Sequence, residues 1–233
     1  MHVLMYADRP AGLGGIETHL SELSAALVRL GVRVTVAFSE FRRPGAFESA
    51  AAAGVRLARL GKAELAEFAA GERVDVFHAH SAGAAEWGVR HAEAVGMKLV
   101  VTLHGPGQRL PPSPARIDRV IAVSPETARP LHYLGERIAV IENGIDLDRF
   151  APTDPKRPES GGPLIAAYLG RVGPAKRPGL VALHKAIGAR PGVAVRYVSD
   201  WAPAGPAEAA DDPAPLLRQA DIVFSTGRGV REA

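Results

Sequence analysis

The sequence has no cysteine among its 233 residues, which excludes a disulfide scaffold and any thiolate metal site. Aromatic residues are scarce, at 6%, too few for the base-stacking platforms of single-strand nucleic-acid binders. Neither sign of charge dominates: 28 Lys and Arg stand against 25 Asp and Glu, a net charge of +3. Acidic residues interrupt the basic ones throughout, so the solid basic tract that favours nucleic-acid binding by counterion release is missing. No stretch approaches the roughly 20 apolar residues needed to cross a bilayer. The opening residues 1–6 meet Asp8 too soon to form a signal-peptide core and read as a buried strand. A soluble cytoplasmic protein is the expectation.

With 47% hydrophobic residues and 23% charged, the chain has ample material for a core. Its length suits one large α/β domain, or one domain and part of another. Short β-rich apolar runs alternate with helical patterns. Strands are expected at 3–6, 32–38, 55–57, 74–78, 98–103, 118–123 and 138–141. Between them, Ile16, Leu20, Leu23, Leu27 and Leu30 recur at helical spacing, closed by Gly31. This alternation predicts an α/β fold with a doubly wound parallel sheet covered on both faces. Residues 151–163 carry four prolines and two glycines and read as a linker. Beyond it, strands at 164–169, 193–198 and 221–224 alternate with helices near 180–187 and 215–219. The expected organisation is a Rossmann-like domain over 1–150, the linker over 151–163, and a partial second Rossmann-like domain over 164–233. Three strands bury little, and the last residues open a helix, so the second domain is expected to be cut short.

Ligands of open parallel sheets bind beyond the carboxyl ends of the strands, and polar and glycine residues follow almost every strand here. Ala11-Gly12-Leu13-Gly14-Gly15-Ile16-Glu17 follows the first. It is not a dinucleotide fingerprint, because Glu17 stands where the third glycine belongs. It serves equally as a phosphate loop or as a plain connection. His78-Ala79-His80-Ser81 follows another strand, and His104-Gly105 the next. His78 and His80 face one side of a strand, but no third ligand appears at motif spacing, so no metal is expected. Asp146-Leu147-Asp148, just after Asn143-Gly144, reads as a turn and helix cap. In the second half, Gly170-Arg171 with Lys176, and Ser225-Thr226-Gly227-Arg228-Gly229 with Glu232, occupy equivalent places.

Taken in order, these segments resemble the retaining family 4 glycosyltransferases of the GT-B fold. The matching stretches are Gly14-Gly15-Ile16-Glu17, Val101-Thr102-Leu103-His104-Gly105, Ile121-Ala122-Val123-Ser124, Ile141-Glu142-Asn143-Gly144-Ile145-Asp146, Tyr168-Leu169-Gly170-Arg171 through Lys176, and Ala220-Asp221-Ile222-Val223 through Glu232. The resemblance implies transfer of a sugar from a UDP- or GDP-sugar to a glycan, lipid-linked or small-molecule acceptor, with retention of configuration. It implies no cofactor and no metal. Arg171 and Lys176 would then absorb the charge that grows on the leaving diphosphate. His104 would lie beside the donor sugar, and Glu232 would hold the ribose hydroxyls. Gly14, Gly15, Asn143, Gly144 and Arg228 complete the donor side, and Glu17, His80 and Ser81 are acceptor-side candidates. A lipid-linked acceptor would bring peripheral association with the inner membrane face, through Arg29, Arg42 and Arg43. The family carries a second glutamate eight positions before Glu232, where Phe224 stands here. Two alternatives share the fold: a catalytically silent fragment that binds only acceptor, and a sugar-nucleotide epimerase. A nicotinamide-dependent oxidoreductase using Glu40 is a distant third.

Overall fold

A computed structural model describes residues 1–12, 14–151, 162–208, 212–226, 228 and 230. They divide into two compact units, one of residues 1–12 and 16–144, the other chiefly of residues from 145 onward.

Unit 1 is built from β1 (His2–Ala11), α1 (Gly15–Arg29), β2 (Arg33–Phe41), α2 (Glu48–Ala52), β3 (Arg56–Arg59), α3 (Leu65–Gly71), β4 (Val76–Ala79), α4 (Ala82–His91), β5 (Lys98–Leu103), β6 (Arg119–Ala122), α5 (Pro125–Ala128) and β7 (Ile138–Val140). The seven strands form one sheet in the order β3-β2-β1-β4-β5-β6-β7, and every pairing is parallel. Growth of the sheet therefore reverses at β1: the chain first adds β2 and β3 on one side, then β4 to β7 on the other. Side chains of β1 alternate between two cores. Val3, Met5 and Ala7 join Leu20 of α1 and Phe38 and Phe47 on one face. Leu4 and Tyr6 join Phe77, Trp87 and Leu99 on the other. Burial on both faces is why the strand reads as one continuous apolar run rather than as alternation.

The sequence spacing places β1 at 3–6, but it runs on to Ala11. An irregularity between Ala7 and Pro10 restores its pairing with β2 at Pro10↔Glu40 and Ala11↔Phe41. Proline has no amide hydrogen to give a ladder, and such a shift in register absorbs it.

Unit 2 holds β8 (Leu164–Leu169), α6 (Arg177–Gly188), β9 (Val193–Val198), α7 (Ala214–Leu217) and β10 (Ile222–Ser225), with a parallel three-stranded sheet ordered β10-β8-β9. Its core is two small clusters, around Tyr168, Leu180 and Tyr197, and around Leu169, Val198 and Leu217. Residues 152–161, most of the expected linker, lie outside the described residues.

Two features of unit 1 yield predictions. Gly88 brings α4 down onto the sheet, and a Cβ there would lie 2.5 Å from Leu99 Cδ1 and 3.2 Å from Phe77 Cδ1. Gly88→Ala should therefore lower the urea midpoint, by about 1–3 kcal/mol of overpacking against a gain of about 1 kcal/mol in helix propensity. His2 is buried and bonded to Glu72 O and Thr35 Oγ1, and burial lowers its pKa below the ordinary value. The unfolded chain then takes up the proton first, so this contribution is present above about pH 6.5 and lost as the pH falls below it. Urea titrations at pH 7.5 and 5 should show a smaller loss of stability on acidification for His2→Gln than for the parent.

Candidate functional site

The reversal of sheet growth between β1 and β4 leaves a crevice at the carboxyl ends of those strands, and unit 1 fills its edge with polar groups. At the end of β1, the Asp8 carboxylate accepts from the Ser81 hydroxyl and pairs with Lys62 at 2.7 Å. Burial acts to raise the Asp8 pKa, but the hydrogen bonds from Lys62 and Ser81 overcome it and hold the group below its ordinary value. The same Ser81 Oγ accepts from Asp8 N at 3.1 Å and caps α4 by accepting from Ala84 N at 3.3 Å. A Cβ at position 83 would collide with the Asp8 carboxylate, so only glycine lets the first turn of α4 sit there. Ser81, expected on the acceptor side, is thus also the residue that starts a helix.

Glu17, a second acceptor-side candidate, is 1% exposed in the first turn of α1. Its Oε1 accepts from Arg9 Nη2 at 2.7 Å and from Gly12 N at 3.2 Å. The carboxylate folds the glycine turn back onto the end of β1. Gly14 precedes α1 and Gly15 is its first residue, where helical amides lack intrahelical acceptors.

Four histidines gather beside this turn. His78 and His80 come from the end of β4, His104 follows β5, and His19 projects from α1. His78 Nε2 lies 2.7 Å from Thr102 Oγ1, and its ring stacks on His80 with centres 4.1 Å apart. His80 Nδ1 lies 3.1 Å from His104 Nε2. Ring centres are 5.6 Å apart for His19 and His80, 5.0 Å for His19 and His104, and 5.3 Å for His80 and His104. Burial pushes His78 and His104 down to about 3 and His80 well below its ordinary value, with repulsion from His19 adding to each. At neutral pH these rings are uncharged, with a lone pair to give. Sequence spacing offers the His78/His80 pair no third ligand. The fold supplies His19 and His104, and it is His80 that they join.

Beside the cluster, a cavity of about 360 Å³ opens between α4 and the segment after β5, lined among others by Ser81, Thr102, Gln108 and Arg109. Gln108 Oε1 accepts from His104 N at 2.6 Å, which steadies that segment. Asn143 and Gly144 follow β7 at the end of unit 1, and among the described residues Asn143 Oδ1 is buried with no hydrogen-bond partner.

In unit 2, β8 is followed by Gly170, whose φ of +135° favours glycine. Val172 N donates to Asp200 Oδ1 at 2.7 Å, fixing the loop that carries Arg171. Lys176 Nζ donates to Arg171 O at 3.3 Å and to Thr226 Oγ1 at 2.8 Å. The carboxyl ends of β8 and β10 are thereby tied together by an exposed ammonium group. Arg228 is 9% exposed, while Glu232 lies outside the described residues. Asp146 Oδ1 accepts from Asp148 N and Arg149 N at 3.1 and 3.0 Å, the turn-and-cap arrangement expected of 146–148. His19, Lys62 and Asp200 escape sequence reasoning. The only hint of His19 is a polar residue in the second turn of a helix that starts at the crevice.

The profile of Glycosyltransferase Family 4 matches residues 13–149. A glycosyltransferase from Rickettsia africae ESF-5 is similar in structure, with a TM-score of 0.68 and 16% identity over 99% of this chain and 76% of that one. Anabaena Alr3699/HepE in complex with UDP-glucose gives 0.65 and 18% over 97% and 69%. A putative UDP-N-acetylglucosamine 2-epimerase from Listeria monocytogenes gives 0.64 and 15% over 99% and 75%. No curated protein matches the sequence.

The double use of Ser81 leads to a stability prediction. Ser81→Ala should lower the urea midpoint of the chain by the equivalent of about 1–2 kcal/mol, the usual loss for a removed N-cap. An unchanged midpoint would leave Ser81 without a structural role.

Proposed function

The chain belongs to glycosyltransferase family 4, and from that premise we propose that it transfers a sugar from a nucleotide-diphosphate donor to an acceptor hydroxyl with retention of configuration. The observation that carries the reading is the position of Lys176, held between Arg171 O and Thr226 Oγ1 at the carboxyl edge of the unit 2 sheet. As the bond between sugar and diphosphate breaks, negative charge grows on the leaving phosphate oxygens. A preorganised ammonium group stabilises that charge without reorganising at the moment of reaction. Arg171, five residues earlier and with its loop fixed by Asp200, adds a planar guanidinium suited to phosphate. The pair does for the diphosphate what a divalent ion does elsewhere, which supports a metal-independent transfer step. Arg228, which is buried, completes the donor side of the proposal together with Glu232, assigned to the ribose hydroxyls.

Gly14 and Gly15 stand at the start of α1, where an anion is favoured. His104 is assigned the place beside the transferred sugar, where its uncharged ring accepts a hydroxyl proton in a hydrogen bond. The cavity lined by Ser81 and Gln108 is the proposed seat of the acceptor, and Glu17 and His80 are assigned to the same acceptor side. A UDP-sugar is the preferred donor, in keeping with Anabaena HepE, which binds UDP-glucose. The reading keeps the chain in the cytoplasm and brings it to a lipid-linked acceptor at a membrane surface through exposed Arg29 and Arg42. Among the described residues no helix is long and apolar enough to cross a membrane.

Three measurements test this. Calorimetry should give sub-millimolar binding of UDP or GDP by the 233-residue chain, and the absence of both would favour a silent acceptor-binding fragment. With donor and acceptor, product analysis should show a new glycosidic bond of unchanged anomeric configuration; an epimerised nucleotide-sugar instead would identify an epimerase. Lys176→Ala should lower the rate at least about a hundredfold, the effect of removing one contact to a developing oxyanion. Turnover equal to that of the parent would remove Lys176 from the leaving-group site.

A further inference from the structure

We propose that His19, His80 and His104 of unit 1 form a binding site for a divalent transition-metal ion of the zinc type. One ring nitrogen from each of the three residues lies within 4.8 Å of the other two. The three ring centres form a nearly equilateral triangle with sides of 5.0, 5.3 and 5.6 Å. A tetrahedral ion holding imidazole nitrogens at roughly 2.0–2.1 Å sets its ligand atoms roughly 3.3 Å apart and the ring centres roughly 5 Å apart. His80 Nδ1 and His104 Nε2 are already 3.1 Å from each other. Ring rotation that turns the second nitrogen of His80 inward and draws every pair from within 4.8 Å to that spacing makes a three-histidine site.

An independent observation comes from His80. Its ring is fully buried, and among the described residues its Nε2 has no hydrogen-bond partner. With the ring neutral, either tautomer of the His80–His104 hydrogen bond leaves that second nitrogen unsatisfied, at a cost of roughly 1–3 kcal/mol. A fold that keeps a strained histidine at the centre of two others, contributed by three separate elements, has more than packing to gain from it. His78 buttresses the site without entering it, because its Nε2 is engaged by Thr102 while its ring lies against His80.

The donor set selects the ion. Three imidazoles suit zinc, cobalt, nickel or copper, whereas magnesium and calcium prefer oxygen ligands. Three protein ligands leave a fourth position for water. The ion takes no step in the transferase reading, in which Arg171 and Lys176 serve the diphosphate, although the site shares His80 and His104 with it. One consequence does rest on that reading: an ion held by His104 withdraws that ring from the donor sugar.

The experiment uses the untagged 233-residue chain after treatment with a chelator. Titration with cobalt(II) should give the intense visible absorption of tetrahedral coordination, saturating at one equivalent. Zinc should then displace it with a sub-millimolar dissociation constant, measured against a chromophoric chelator. His104→Ala and His19→Ala should each weaken zinc binding at least tenfold, whereas His132→Ala, at an exposed histidine elsewhere in unit 1, should leave it unchanged. His80→Ala should abolish it, and circular dichroism will show whether that variant is folded; if it is not, the other two carry the test. Absence of saturable binding by the parent, or equal binding by the His19, His104 and parent proteins, would overturn the site whatever the transferase assay shows.

Discussion

The constraint on which both units depend is that every strand in each sheet points the same way. A parallel ladder puts all the carboxyl ends on one edge. In unit 1 the sheet grows outward from β1 in both directions, so the strands entering and leaving the reversal end side by side. Helices that start from this edge aim their free amides back at it. The edge would be a row of unsatisfied backbone groups if the following loops were apolar. They are instead rich in histidine, serine, aspartate and glycine, and the polar side chains satisfy the chain ends while remaining available to a ligand. Asp8, Ser81 and Lys62 form one such knot, and Glu17 with Arg9 another.

Unit 2 has a corresponding edge on its own sheet. Its strands are few and its clusters small, yet the loops after β8 and β10 are cross-linked through Lys176, and Asp200 holds the intervening turn. A lysine in this setting gives up side-chain entropy at folding rather than at binding, which is what preorganisation means in physical terms. The ammonium group of Lys176 is therefore fixed relative to the sheet that carries it.

Much of this was legible in the sequence. The strands of both units fall within a few residues of the apolar runs that announce them, because residues buried on both faces of a sheet leave an unbroken hydrophobic signal. The end of β1 was not legible: polar Asp8, Arg9 and Pro10 look like a turn, and only the pairing with β2 recruits them into a strand. The glycine turn, His104 and Arg171 stood out as candidates because each follows a strand, a local signal, whereas Lys176 was singled out by its place five residues beyond Arg171. The gathering of His19 with His80 and His104 left no such trace. Its members are 61 and 24 residues apart in sequence, and only the winding order of the sheet makes them neighbours. The role of Ser81 was half visible, since a serine before a helix suggests a cap but says nothing of Asp8, which lies 73 residues away.

The bond between His78 and Thr102 has a bearing on how the molecule assembles. β4 and β5 pair over only a few residues, with His78 opposite Val100, and short, uniformly greasy strands have little to tell one alignment from the next. A single dry hydrogen bond between them works as a key: sliding one strand past the other would strand an imidazole and a hydroxyl in the interior. Misaligned chains are thereby penalised before either loop at the sheet's end has formed, so fidelity of assembly in unit 1 is written into a buried polar pair.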